Sequence, residues 1–350
     1  MKKILLTLPL AFTILYAYDI KTLEQSCNNL DYNACNDLGA QYYNQNNITE
    51  AEKFYKLACD NNNAIACSNL SYINQNKSNL KLAYEYAEKS CDNLNAISCA
   101  RSGYFLENGI GVTKNISKAN EKYKKGCELQ NGWACRNLGL SYEYAKGFKQ
   151  NYSNALNYYE LGCKYNDKSA CLNAGYIYEN FNNIDMIKTL GFYLKSCELG
   201  EPIACHNLSL MHTNNKILPI NHSSAISLQL KSCQANYAPA CNELAKAYEF
   251  GLGVNIDYKL AVNYYTKACD ANNAAACNNL GVLNTKGIGT NKDYAKAIKL
   301  YTKSCELNNA LACNNLGDFF SNGKIKKNPK QSKKYYKKSC NLGYKAACKK

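Results

Sequence analysis

The stretch "YYTKACDANNAAACNNLG", residues 264–281, returns 36 positions later as "LYTKSCELNNALACNNLG", residues 300–317. Two cysteines eight positions apart anchor both copies, and the same spacing runs through the chain. The first five pairs are Cys27 and Cys35, Cys59 and Cys67, Cys91 and Cys99, Cys127 and Cys135, and Cys163 and Cys171. The other five are Cys197 and Cys205, Cys233 and Cys241, Cys269 and Cys277, Cys305 and Cys313, and Cys340 and Cys348, which uses all 20 cysteines. Successive pairs start 32 to 36 residues apart. A period in this range marks a solenoid of small helical units. The spacing inside a pair never varies while the gap between pairs does, so length variation belongs to a different loop.

Aligned on the cysteines, two helical faces emerge. Eight positions before the first cysteine stand Ala51, Ala83, Ala119, Ala155, Ala225, Ala261 and Ala297, and four or five before it an aromatic recurs, as at Tyr123, Tyr193, Tyr264 and Tyr265. Offsets of 8, 4 and 0 share one helical face. Asp257 and Asp293 suit the start of that helix. After the second cysteine, leucine recurs at the third position, glycine or another small residue at the fourth, and an aromatic at the seventh. Glycine inside a helix costs up to about 1 kcal/mol against alanine, so its return predicts a close approach, read as backbone against backbone. Between the two helices lie turns such as "ENGIGVTKN" (107–115) and "EFGLGVNID" (249–257), whose glycines permit positive φ.

The chain opens MKKILLTLPLAFTILYAYD, with a basic start, an apolar run and Ala17 before polar sequence. Residues 1–17 are read as a signal peptide and 18–350 as the mature solenoid, exported to the periplasm or beyond. Paired cysteines in an exported chain predict ten local disulfides, because export supplies the oxidising compartment and no short C-x2-4-C cluster points to zinc.

The formal net charge is +15, yet only Arg101 and Arg136 among 42 basic residues are arginine. Arginine carries most bidentate phosphate recognition, so no nucleic-acid partner is expected. From Lys324 to Lys350 lysines accumulate without an acidic residue. Two readings stand for this end, a soluble terminal cap and a basic docking surface.

The full unit "ACNELAKAYEFGLGVNIDYKLAVNYYTKAC" (240–269) resembles Sel1-like repeats, relatives of the tetratricopeptide hairpins. With a C-x7-C pair in every unit, residues 19–350 are similar to the secreted Helicobacter cysteine-rich proteins, often labelled β-lactamases. The resemblance implies an all-α, α/α superhelical solenoid with a concave groove. The expected units run about 35–59, 67–91, 99–127, 135–163, 171–197, 205–233, 241–269, 277–305 and 313–340. The units over 171–197 and 205–233 depart from the pattern: both lack the Gly-x-Gly turn, and the second puts Leu228 and Gln229 at an aromatic pair.

The resemblance implies two rival functions, an interaction scaffold and a protein that binds or hydrolyses β-lactams. For the enzyme, Ser78-x-x-Lys81 and Ser321-x-x-Lys324 fit S-x-x-K, but S-D-N and K-T-G are missing from the sequence. Both are placed in inter-helix loops. No catalytic residue, metal or cofactor is assigned, since His206, His212 and His222 are the only histidines and His206 and His212 share no helix face. For the scaffold, Asn69, Asn137, Asn173, Asn207, Asn279 and Asn315 stand two residues after the second cysteine of their pairs. Stacked first helices would align these amides into a ladder able to donate to and accept from a peptide backbone. Abundant asparagine, tolerated near helix starts, accounts for the same positions without a ligand. The sequence therefore predicts a monomer that binds a peptide or protein in its groove. A β-lactam or peptidoglycan-derived ligand is the alternative.

Overall fold

A computed structural model describes residues 19–181, 184–213, 220–322 and 327–350; the expected signal peptide lies outside them. These residues form nineteen α-helices and a final 3-10 turn and contain no strand, as the all-α reading requires. The chain divides between Asn151 and Tyr152 into two compact bodies. The first holds α1 (Ile20–Asn28), α2 (Tyr32–Asn44), α3 (Ile48–Asp60), α4 (Ala64–Asn76), α5 (Leu80–Asp92), α6 (Ala96–Asn108), α7 (Ile116–Glu128) and α8 (Gly132–Glu143). The second holds α9 (Tyr152–Lys164), α10 (Lys168–Asn180), α11 (Met186–Glu198), α12 (Pro202–Met211), α13 (His222–Gln234), α14 (Ala238–Phe250), α15 (Tyr258–Asp270), α16 (Ala274–Lys286), α17 (Tyr294–Glu306), α18 (Ala310–Asn322) and α19 (Pro329–Asn341). Within each body every helix packs on its neighbours in sequence.

All ten cysteine pairs close as expected, each within its own turn. In the first body, Cys27 bonds Cys35, Cys59 bonds Cys67, Cys91 bonds Cys99 and Cys127 bonds Cys135. In the second, Cys163 bonds Cys171, Cys197 bonds Cys205, Cys233 bonds Cys241, Cys269 bonds Cys277, Cys305 bonds Cys313 and Cys340 bonds Cys348. Their Cα atoms lie 4.5 to 4.9 Å apart.

The backbone between the paired cysteines explains their fixed spacing. Five residues before the second cysteine the chain turns left-handed, at Leu30, Asn62, Leu94, Gln130, Asn166, Gly200, Asn236, Asn272, Asn308 and Gly343. The next residue caps the following helix: Asn273 Oδ1 accepts from Ala276 N at 2.9 Å, and Asp31, Asn63, Asn95, Asn131, Asp167 and Asn309 do the same in their turns. Glu201 and Tyr237 lack that bond, and Pro202 and Pro239 begin their helices instead. Asparagine tolerates αL and caps helices well, so the recurring Asn-Asn is turn chemistry. Inserting one residue here would misalign cap and disulfide together.

Two contacts recur in the hairpins formed by an even-numbered helix and the odd-numbered one after it. Aromatics seven residues after one cysteine stack on those five before the next, as in Tyr42–Phe54 at 5.5 Å, Tyr178–Phe192 and Tyr248–Tyr264 at 5.7 Å, and Phe320–Tyr335 at 5.8 Å. The recurring glycine has a different reason from the expected backbone contact. A Cβ on Gly103 would stand 2.7 Å from the Tyr123 ring, and Gly39, Gly175, Gly281 and Gly317 face Tyr55, Tyr193, Tyr301 and Tyr336 in the same way. Where the small residue is Ser71, the tyrosine position holds Ala87; where it is Ser209, it holds Gln229. Ring and glycine recur together in these five hairpins, while Ala245 takes the glycine position in the hairpin of Tyr265.

Neighbouring hairpins are bonded along both layers. Lys231, Lys267 and Lys303 donate from α13, α15 and α17 to the carbonyls of Cys197, Cys233 and Cys269 at 2.7 to 2.8 Å, closing the C-terminal turns of the preceding odd-numbered helices. Part of the lysine content is thus structural. The Gly-x-Gly turns act between hairpins too: the first glycine, such as Gly287, is a left-handed cap, and the second, such as Gly289, lies against the start of the preceding odd-numbered helix at Tyr258.

Candidate binding face

The even-numbered helices carry a stripe at offsets −2, +2, +5 and +9 from the second cysteine of each pair, a spacing that keeps one helical face. In the first body the −2 and +5 positions hold Ile65 and Tyr72 on α4 and Ile97 and Tyr104 on α6, 58, 48, 56 and 41% exposed respectively. Trp133 follows on α8, its ring 6.0 Å from that of Tyr104. Apolar groups thus recur on the surface of three even-numbered helices in a row, α4, α6 and α8.

The six asparagines predicted to form a ladder occupy the +2 position of this stripe, and all are half-buried. Their amides are not equivalent. Asn69 Nδ2 donates to Asn36 Oδ1 on α2 at 3.2 Å, and Asn315 Nδ2 donates to Asn278 Oδ1 on α16 at 2.9 Å. Asn207 and Asn279 bond the Tyr193 and Tyr265 hydroxyls. Four of the six thus join helix to helix. Asn137 differs, because its buried Nδ2 has no partner. Asn173 lies in the same register on α10.

Arg101 fills the +2 position of α6, three residues before Tyr104, and is the residue that reasoning from asparagine alone missed. Its guanidinium donates to the Ser68 carbonyl at 3.4 Å, and burial lowers its pKa from the ordinary arginine value. A desolvated guanidinium with five donors attracts a carboxylate. The signal that could have found it is the aligned stripe: apolar at −2 and +5, polar at +2.

Beneath the stripe the core tyrosines form brackets. Tyr123, Tyr193 and Tyr265 donate to Glu107, Glu179 and Glu249 at 2.8, 2.6 and 2.6 Å. Burial first, and then the neighbouring carboxylate, pushes these phenols well above the usual tyrosine range; burial leads at Tyr55 too, pushed up to about 12. The irregular hairpin of α12 and α13 lacks the bracket. Gln229 pairs its amide with Ser209 Oγ and with His206 Nδ1, the latter at 3.0 Å.

The other sequence candidates are scattered. Ser78 sits on a left-handed turn and Lys81 lies 3.9 Å from Glu85. Ser321 belongs to the last turn of α18 rather than to a loop, and Lys324 lies outside the described residues. His206 is buried in α12, His212 follows its end and His222 begins α13. Among the described residues no three His, Cys, Asp or Glu gather as metal ligands, and no helix is long and apolar enough to cross a membrane.

Comparison with known proteins agrees with this architecture. A search of curated proteins found no match to the sequence. Among solved structures, a protective antigen of uropathogenic Escherichia coli displaying an SLR fold superposes with a TM-score of 0.78 at 22% identity, covering 94% of this chain and 73% of that one. A Sel1 repeat protein from Oxalobacter formigenes gives 0.65 at 18% identity, covering 85% of this chain and 88% of that one. Helicobacter pylori cysteine rich protein B is 31% identical over 39% of this chain and 99% of its own, with a TM-score of 0.33. The Sel1 repeat family model matches residues 33–63, 64–93, 96–131, 134–166, 238–273, 274–309 and 310–344, leaving out the irregular hairpins between. With more than half its length so matched and every hairpin built on the same register, the chain belongs to the Sel1 repeat family.

Proposed function

We propose that the protein is an exported scaffold whose first body binds an extended polypeptide segment with apolar side chains and a carboxylate. The observation that carries the reading is the stripe of exposed Ile65, Tyr72, Ile97 and Tyr104 around the partly desolvated Arg101. Exposed apolar groups grouped around a few fixed polar ones are what a recognition surface needs. Arg101 supplies charge complementarity to a carboxylate. Ten disulfides support assembly in an oxidising compartment, the periplasm or the cell exterior. The reading is of a monomer, without nucleic acid or cofactor. The β-lactam alternative gains no support from the dispersed Ser78 and Ser321.

A random peptide library displayed on phage, selected on the oxidised chain, tests this directly. Selected peptides should combine a carboxylate with apolar residues, and titration calorimetry should show Arg101→Ala and Tyr104→Ala weakening them at least about tenfold, the scale of a central interface residue. Peptides indifferent to both substitutions would overturn the assignment. Saturable turnover of a chromogenic cephalosporin, lost on reduction, would make the protein a hydrolase instead.

A further inference from the structure

In the second body a cavity of about 350 Å³ opens between α12, α13 and α14, and its position has a specific cause. Every bracketed tyrosine stands four residues before the first cysteine of a pair. The hydroxyl of Tyr265 meets Glu249, eight residues after a second cysteine, and Asn279, two residues after the next one. In the hairpin of α12 and α13 the same three positions are Gln229, Thr213 and Glu243, and all three line the cavity. Its walls are the apolar Leu210, Ile226 and Phe250. Gln229 is shorter than a ring, and its amide is bound to Ser209 and His206 rather than to Thr213 or Glu243. Glu243 accepts from Lys246 at 2.7 and 2.9 Å through its two oxygens and from Asn242 Nδ2 at 3.1 Å, which leaves one carboxylate lone pair for a further donor.

We propose that this cavity receives a phenolic ring, the side chain of a tyrosine on a bound polypeptide, in place of the tyrosine that the hairpin lacks. The ring fills the apolar space, and its hydroxyl reaches Thr213 and Glu243 as the internal hydroxyls reach their brackets. At about 350 Å³ the cavity admits a phenolic ring with room to spare, since a cavity of about 150 Å³ already holds a benzene ring. Only the source of the ring rests on the polypeptide-binding reading; the fit of a phenol does not.

The test uses the full oxidised chain, methyl-labelled for NMR, with p-cresol, toluene and N-acetyltyrosinamide as probes. Saturable shifts confined to Leu210, Ile226 and Leu252, with p-cresol tighter than toluene by about tenfold for the hydroxyl hydrogen bonds, are expected. N-acetyltyrosinamide should bind at the same methyls. The double substitution of Ser209→Gly with Gln229→Tyr, which restores the pair used elsewhere, should abolish all three shifts. Glu243→Leu should leave the fold intact and reduce p-cresol to the level of toluene. Shifts spread over the surface, or p-cresol binding unchanged in both variants, would overturn the site. Binding of p-cresol without N-acetyltyrosinamide would overturn the polypeptide source. These outcomes stand apart from Arg101, whose variants test the first body alone.

Discussion

Gly103 and Tyr123 show how a single residue is held by its partner. Adding a methyl at 103 gains helix propensity of about 1 kcal/mol but drives a Cβ into a ring fixed by its bond to Glu107. Overpacking of this kind costs about 1–3 kcal/mol, so Gly103→Ala should lower the urea midpoint and the stability by about 1 kcal/mol net. The same phenols make stability depend on pH. Tyr123, Tyr193 and Tyr265 have pKa values raised by burial and by their carboxylates, so the folded state holds protons that the unfolded chain releases near pH 10. Their contribution is fully present below about pH 10 and falls as pH rises from there towards the folded values. Urea midpoints should be lower at about pH 11 than at about pH 9, and phenolate absorbance should show a set of tyrosines ionising only as the chain unfolds. Full ionisation of all tyrosines with the helical signal intact would contradict the brackets.

At the scale of the element, the C-x7-C turn joins a C-cap, a left-handed residue and an N-cap within nine positions. In the chain-entropy account a disulfide loop of about nine residues contributes about 2.5 kcal/mol. Replacing Cys269 and Cys277 together by serine should therefore lose about that much, and Asn273→Ala about 1 kcal/mol from the lost cap. Hydrogen exchange is the discriminating measurement, because in a repeat array the loss stays local: amides of α15 and α16 should exchange faster while those of α3 and α4 remain unchanged. These elements were legible in the sequence, since alanine, tyrosine, glycine and cysteine fall in one register and the turns are capped by residues suited to them. Two details were not. The glycine repeat pointed to a close approach without saying that a ring causes it, and Ser321 read as loop although α18 continues through it.

Across the whole molecule, ten loops at about 2.5 kcal/mol sum to more than the 5–15 kcal/mol that usually separates folded from unfolded chains. Full reduction should therefore melt the helices at room temperature, which circular dichroism with and without dithiothreitol would show. By itself the sequence determined the all-helical class, the hairpin register and the turns, and it predicted nearest-neighbour pairing of the cysteines that the structure then showed, because each depends on contacts within one repeat or the next and so recurs at a fixed offset. The candidate face was only half visible, since asparagine at the +2 position can cap, cross-link or bind a ligand and the letter is the same in each case. Tertiary structure decided which it does: Asn69 and Asn315 bond across helices, Asn207 and Asn279 hold tyrosine hydroxyls, and Asn137 is left without a partner in the same stripe as Arg101 and the exposed Tyr104. It also decided that Gln229 leaves a cavity, because whether a missing ring is refilled depends on what the neighbouring helices bring to the space.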